Sequence, residues 1–154
     1  MKITFFGHRT IILKDEHYNQ IKQIIMEKIN KNEEIEFLCG GYGDFDSMCA
    51  QTAREIKKTY PNCSVQLVTP YISMASQSKN ADKINMNLYD GIIYPPIEHI
   101  LPKLAIIYRN KWMVDSADFI IFYVKRENGG AYEMLKYAKK KNKNYINVAK
   151  TVEK

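Results

Sequence analysis

Apolar and polar positions fall in blocks along this chain, and the blocks have two characteristic lengths. Short, nearly continuous apolar runs occur at residues 2–6 (KITFF), 35–39 (IEFLC), 64–69 (SVQLVT), 118–124 (DFIIFYV) and 144–148 (NYINV). Runs of this length and composition are expected of strands covered on both faces. Between them apolar residues recur at helical spacing. Residues 15–30 carry Tyr18, Ile21, Ile24, Ile25 and Ile29 on one side, and residues 46–58 offer Met48, Ala53 and Ile56 before YPN ends the helix. Two further helices are predicted over 103–115 and 131–141. Residues 70–101 lack either period; Pro70, Asn80, Gly91, Pro95 and Pro96 punctuate them, with Pro102 just beyond. They read as mostly loop, with room for a short helix, and a stretch this long within a compact domain is often functional.

Strands alternating with helices imply an α/β fold: a Rossmann-like three-layer sandwich with a mostly parallel sheet of about five strands and helices on both faces. The length of 154 residues suits one domain spanning 1–154. Such sheets bind ligands beyond the carboxyl ends of their strands. Here those ends carry Gly7-His8-Arg9, Gly40 to Asp46, Thr69-Pro70-Tyr71 and Lys125 to Gly130, so the most distinctive polar residues converge on one rim.

Composition narrows the class. At 45% hydrophobic and 26% charged, the chain has what a packed core requires. No apolar run approaches the roughly 20 residues of a membrane span, and MKITFFGHR is too short in its apolar part for a signal peptide. Cys39, Cys49 and Cys63 show no metal-ligand spacing and read as buried thiols in a reducing, cytoplasmic setting. No metal and no cofactor are expected. The net charge of +6 is confined to Lys136–Lys154, where seven lysines face one acid; the rest of the chain is neutral. Lysines at a helix end complement its dipole. Arginines and aromatics are not interleaved with them, which argues against nucleic acid as a partner.

The stretch FLCGGYGDFDSM at 37–48 poses the sharpest question, because its glycines suit a phosphate while its aspartates repel one. Gly40, Gly41 and Gly43 permit close approach, and the following helix offers free amides. Asp44 or Asp46 is either a helix cap or the acceptor of a ribose hydroxyl. A nucleotide presents sugar and phosphate together, which answers both features. Arg9 suits a bidentate phosphate contact, and His8 is a candidate phosphate donor or general acid. Arg109 and Asn110 lie in a helix, where a surface ion pair is the plain alternative for Arg109. ENGGAYE at 127–133 is a second glycine turn entering a helix. Its Glu133 either serves the dipole or faces a ribose, binding hydroxyls or stabilising an oxocarbenium ion. Tyr71, Tyr94 and Trp112 are candidates to stack on a base.

TFFGHR, GGYGDFDSMCA, YPPIEHILPKLAIIYRNKWMVDSADFIIFYV and GGAYEMLKYAKKKNKNYINV, in this order, resemble bacterial SLOG-family proteins. The resemblance runs through nearly the whole chain. It implies a Rossmann-like sheet and a nucleotide-related ligand, since the superfamily includes sensors of nucleotide signals in anti-phage systems, the DNA-uptake protein DprA and the LOG phosphoribohydrolases. By motif position, Gly7, His8 and Arg9, Gly40 to Asp46, Arg109 and Asn110, and Gly129 to Glu133 should line the pocket. The layout is also similar to nucleoside deoxyribosyltransferases, whose GTxxE spacing is met by Gly129 and Glu133, although Gly130 stands where the threonine would be. The LOG motif PGGxGTxxE is absent. These readings lead to a sensor or sequestering module for a nucleotide, an ADP-ribose-like molecule or a cyclic nucleotide, in phage defence or anti-defence. The alternative is a nucleotide N-glycoside hydrolase or transferase using Glu133 with Asp46 or His8. A sheet of this size with one long loop leaves apolar surface to cover, which favours a homo-oligomer.

Overall fold

The computed structural model describes residues 1–12, 14–70, 79, 81, 82, 84, 86–97 and 99–149. Six strands form one sheet: β1 (Lys2–Gly7), β2 (Ile35–Cys39), β3 (Cys63–Val68), β4 (Gly91–Ile93), β5 (Phe119–Tyr123) and β6 (Tyr145–Asn147). Their order is β4-β3-β2-β1-β5-β6, and every neighbouring pair is parallel. The described α-helices are α1 (Asp15–Lys28), α2 (Gly43–Thr59), α3 (Ala105–Ser116) and α4 (Gly130–Lys140), with a 3-10 turn at Pro102–Leu104 leading into α3. The sheet therefore has one strand more than expected, at its edge.

Residues of the central strands alternate between two cores. Ile3, Phe5, Phe37, Val65 and Ile121 pack with Ile21, Ile25, Phe45, Met48, Ala53 and Ile56 of α1 and α2. Phe6, Leu38, Val68, Ile120 and Phe122 pack on the other face with Met113, Val114, Met134, Leu135 and Ala138 of α3 and α4. This explains why the strand runs carry no polar alternation, because both faces of the sheet are dry. Each fully buried Phe or Ile side chain contributes about 1.5–3 kcal/mol. The edge strand β4 is held from outside: the Asp90 carboxylate accepts the Val65 amide at 2.7 Å and pairs with Lys57 of α2.

The chain starts in the middle of the sheet. β1 pairs with β2 on one side and with β5 on the other, so connections leave it in opposite directions. That reversal opens a crevice at the carboxyl ends of β1 and β5, where open parallel sheets bind ligands. Cys39, Cys49 and Cys63 are free and buried. No described helix is long and apolar enough to cross a membrane.

Candidate functional site

Two loops are clamped together at this crevice. Gly43 (φ 89°) opens α2 against the turn after β1, where a Cβ would lie 2.8 Å from the Cα of Arg9. The Asp44 amide donates to the Arg9 carbonyl at 2.9 Å, and the Asp44 carboxylate accepts the Ile11 amide at 3.3 Å. Asp44 and Gly43 are thus spent on holding the first loop.

A cavity of about 390 Å³ lies between the loops. Gly7, His8 and Arg9 form one wall, Gly40, Tyr42 and Asp46 a second, and Ile106, Arg109, Asn110 and Met113 of α3 a third. Arg126, Asn128, Gly129, Gly130 and Ala131 close the fourth. At Gly129 and Gly130 an added Cβ would meet nothing within 4 Å, so the start of α4 faces open space. Its N-cap, Gly129, supplies no capping side chain. The first amides of α4 and the positive end of its dipole therefore point at the cavity.

Arg109 is 3% exposed. Its Nη1 donates to the carbonyls of Gly40 at 3.0 Å and Val68 at 2.8 Å, while Nε donates to Asn110 Oδ1 at 2.8 Å. It fixes the β2 and β3 ends to α3 and carries a positive charge to the cavity wall. The Tyr42 ring stands between the guanidiniums of Arg9 and Arg109, 5.8 and 5.6 Å from its centroid. Three arginines on one wall system leave the cavity strongly favourable to an anion.

Asp46 is the acid among them. Its Oδ2 accepts the Tyr42 amide at 3.3 Å. Its Oδ1 is buried and has no hydrogen-bond partner among the described residues. Burial pushes the carboxyl up to about 7, against the opposing pull of the Tyr42 amide and the Arg109 guanidinium. A buried carboxylate oxygen without a partner is an unmet acceptor at the edge of the cavity. The neighbouring thiols of Cys39 and Cys49 are pushed well above the ordinary thiol range by burial and by Asp46, which makes them poor nucleophiles.

His8 is held in place through one of its two ring nitrogens. Its Nε2 accepts the amides of Lys125 at 2.9 Å and Arg126 at 3.2 Å. An accepting Nε2 carries no proton, so the neutral ring holds its proton on Nδ1. Burial, and then the charge of Arg126, lower its pKa. His8 is a latch between the β1 and β5 loops, and Nε2 is not available as an acid.

Of the residues singled out in the sequence, Gly7, His8, Arg9, Gly40, Asp46, Arg109, Asn110, Gly129 and Gly130 meet at the cavity. Gly41, Gly43, Asp44 and Glu133 do not line it. Glu133 sits one turn along α4, pairs with Lys136 at 3.1 Å, and lines a neighbouring groove with Tyr137. Tyr71 lies outside the described residues; Trp112 packs against the α3–α4 core, and Tyr94 is not on the wall. Tyr42, Arg126 and Asn128 fell within the stretches Gly40 to Asp46 and Lys125 to Gly130 but were not named individually. Arg126 had a readable signal, since it follows the most buried strand by three residues on the ligand-binding rim. Among the described residues no cluster of His, Cys, Asp or Glu could hold a metal.

The sequence model of YpsA, the YspA SLOG family, matches residues 3–152. The chain belongs to this family. Among curated proteins no sequence matches the chain. The fold of this SLOG chain recurs in DNA processing protein A (DprA) from Streptococcus pneumoniae, with a TM-score of 0.59 and 14% identity over 94% of this chain and 48% of that one. It also recurs in DNA processing protein A from Helicobacter pylori, a structure concerned with its single-stranded DNA binding mode, with a TM-score of 0.61 and 16% identity. That match covers 94% of this chain and 63% of the other, so the SLOG chain spans about half to two thirds of these proteins. At such identities the likeness establishes the fold.

These neighbours correct one expectation. Nucleic acid was set aside because the C-terminal lysines lack interleaved arginines and aromatics, yet a protein of this fold binds single-stranded DNA. Charge that is contiguous in sequence is only part of what the fold presents. The charge at the crevice comes instead from Arg9, Arg109 and Arg126, which the fold gathers around the Tyr42 ring and the α4 N-terminus.

Proposed function

We propose that this SLOG chain binds a nucleotide-derived small molecule in the crevice, as a sensor or sequestering module. The observation that carries the reading is the orphaned Oδ1 of Asp46, a residue that lines the cavity together with three arginines and a helix N-terminus. A phosphoryl group fits the α4 amides and Arg126. A ribose hydroxyl, attached a few bonds away, fits Asp46. Simple anions satisfy the first set and leave the carboxylate unanswered, whereas a nucleotide answers both. Cleavage of an N-glycoside has weaker support, because Glu133 pairs with Lys136 outside the wall and, among the described residues, Asp46 stands there without a second carboxyl group.

The test is to mix the purified protein with a pool of mononucleotides, NAD, ADP-ribose and cyclic dinucleotides, then to identify bound and free species by mass spectrometry. A compound retained intact by the parent and lost from Asp46→Asn supports the reading. Release of a free base with its sugar phosphate would replace it with hydrolysis, and retention of nothing from the pool would overturn it.

A second reading, single-stranded DNA, is favoured by the fold shared with DNA processing protein A and by the three arginines at the crevice. Fluorescence anisotropy with a labelled oligonucleotide decides it. Binding that weakens steeply with salt and is lost in Arg9→Gln would favour a strand in the crevice, and anisotropy unchanged at low salt would remove it.

A further inference from the structure

A second cavity, of about 450 Å³, lies behind the first and shares His8 and Arg126 with it. Its wall includes Thr10, Lys14, Glu16, His17 and Lys125. His17 belongs to the first turn of α1 and is 3% exposed. Its Nδ1 accepts the Lys14 amide at 3.0 Å, which leaves the proton of the neutral ring on Nε2. That Nε2 is buried and has no hydrogen-bond partner among the described residues. The neighbouring Tyr123 ring meets the imidazole nearly at right angles, with centroids 5.4 Å apart, and supplies only an aromatic contact. A buried N–H without an acceptor is costly, and native proteins rarely keep one without a reason.

The charges around it indicate what would answer that donor. Among the described residues, Lys14, Lys125 and Arg126 line the cavity with one acid, Glu16. We propose that this cavity is a subsite for a phosphoryl group, with one oxygen accepting the His17 Nε2–H and its charge facing Lys14, Lys125 and Arg126. Arg126 and His8 border both cavities, so the two sites adjoin. Resting on the nucleotide reading of the first cavity, this defines the ligand class: a nucleotide bearing two phosphoryl groups at separate positions, one at the α4 N-terminus and one at His17.

The test follows the ring nitrogens of His17 by NMR in protein labelled at histidine, during titration with inorganic pyrophosphate, adenosine 5′-monophosphate and adenosine 3′,5′-bisphosphate. Pyrophosphate and the bisphosphate should move the Nε2 resonance, and the monophosphate should not. Lys125→Gln should weaken the bisphosphate about tenfold more than the monophosphate, the loss expected for one charge-assisted contact. A His17 resonance that stays still with pyrophosphate and bisphosphate overturns the subsite, even if the monophosphate binds. Equal loss of both nucleotides in Lys125→Gln would overturn it as well. If neither nucleotide binds while pyrophosphate moves His17, the subsite stands and the nucleotide reading of the first cavity falls.

Discussion

The unprotonated Nε2 of His8 accepts the Lys125 amide at 2.9 Å, so a ring leaving β1 holds the chain leaving β5. The folded pKa of His8 lies below its ordinary 6.5. Its contribution to stability is therefore present above pH 6.5 and is lost as pH falls below that value. Protonation turns Nε2 from acceptor to donor and faces it against two amides. Hydrogen exchange at Lys125 and Arg126, corrected for intrinsic rates, should speed up below pH 6.5 before exchange at Ile121 in the centre of β5. His8→Ala should cost about 1–3 kcal/mol, because both amides lose their acceptor.

Asp46 has the opposite sign. Its folded pKa of about 7 lies above the ordinary 3.8, so the folded state holds the proton more tightly. The stabilisation is complete below pH 3.8, declines as pH rises toward 7 and is gone above it, a total of about 2–4 kcal/mol. Asp46→Asn removes the buried charge and should raise the melting temperature at pH 8, with the gain shrinking toward pH 5. Thermal melts of both proteins across this range check it, and a gain that grows at low pH would contradict the burial argument.

Gly43 and Gly130 both begin helices at the crevice but answer to different demands. Gly43→Ala forces a Cβ to 2.8 Å from the Arg9 backbone at a positive φ. It should destabilise the fold by about 1–3 kcal/mol in urea unfolding. Gly130→Ala meets empty space and should leave stability within about 1 kcal/mol of the parent. Its methyl group still stands where a phosphoryl group would approach the α4 amides, so ligand retention should fall while the melting curve does not move.

Arg126 is exposed and lines the cavity, and it meets His8 through its backbone amide, which a side-chain substitution keeps. Arg126→Gln should leave the melting temperature unchanged and weaken binding of the retained nucleotide about tenfold by calorimetry.

What the sequence disclosed and what it hid follow from the range of the forces involved. β1, β2, β3 and β5 were visible because each runs through a dry layer and must be apolar along its length, and β6, as short as β4, showed through the apolar residues of NYINV. β4 was not visible: Gly91, Ile92 and Ile93 are all half-buried, form only three residues of ladder and owe their register to β3 and to Asp90. α2 starts at Gly43, three residues before the predicted Asp46, because its two acids fit the first turn of a helix as well as a loop. The glycine-bearing loops located the rim correctly, since turns and strand ends are local features. The divisions of labour among their side chains were not local. Asp44 and Asp46 differ by two positions in sequence, yet one ties down the turn after β1 and the other enters the cavity. His8 reads as a reactive group until Lys125 and Arg126 arrive to occupy its nitrogen. Tyr42 gains its place only from the two guanidiniums that flank it.

The His8 latch joins positions 117 residues apart. A nascent chain emerging from the ribosome can form β1, β2 and the glycine turn before α2, and still own only half a cradle. Arg126 and the α4 amides arrive only after β5 has been made. The cradle thus depends on both halves of the sheet, and a fragment that ends before β5 would hold only one wall of it.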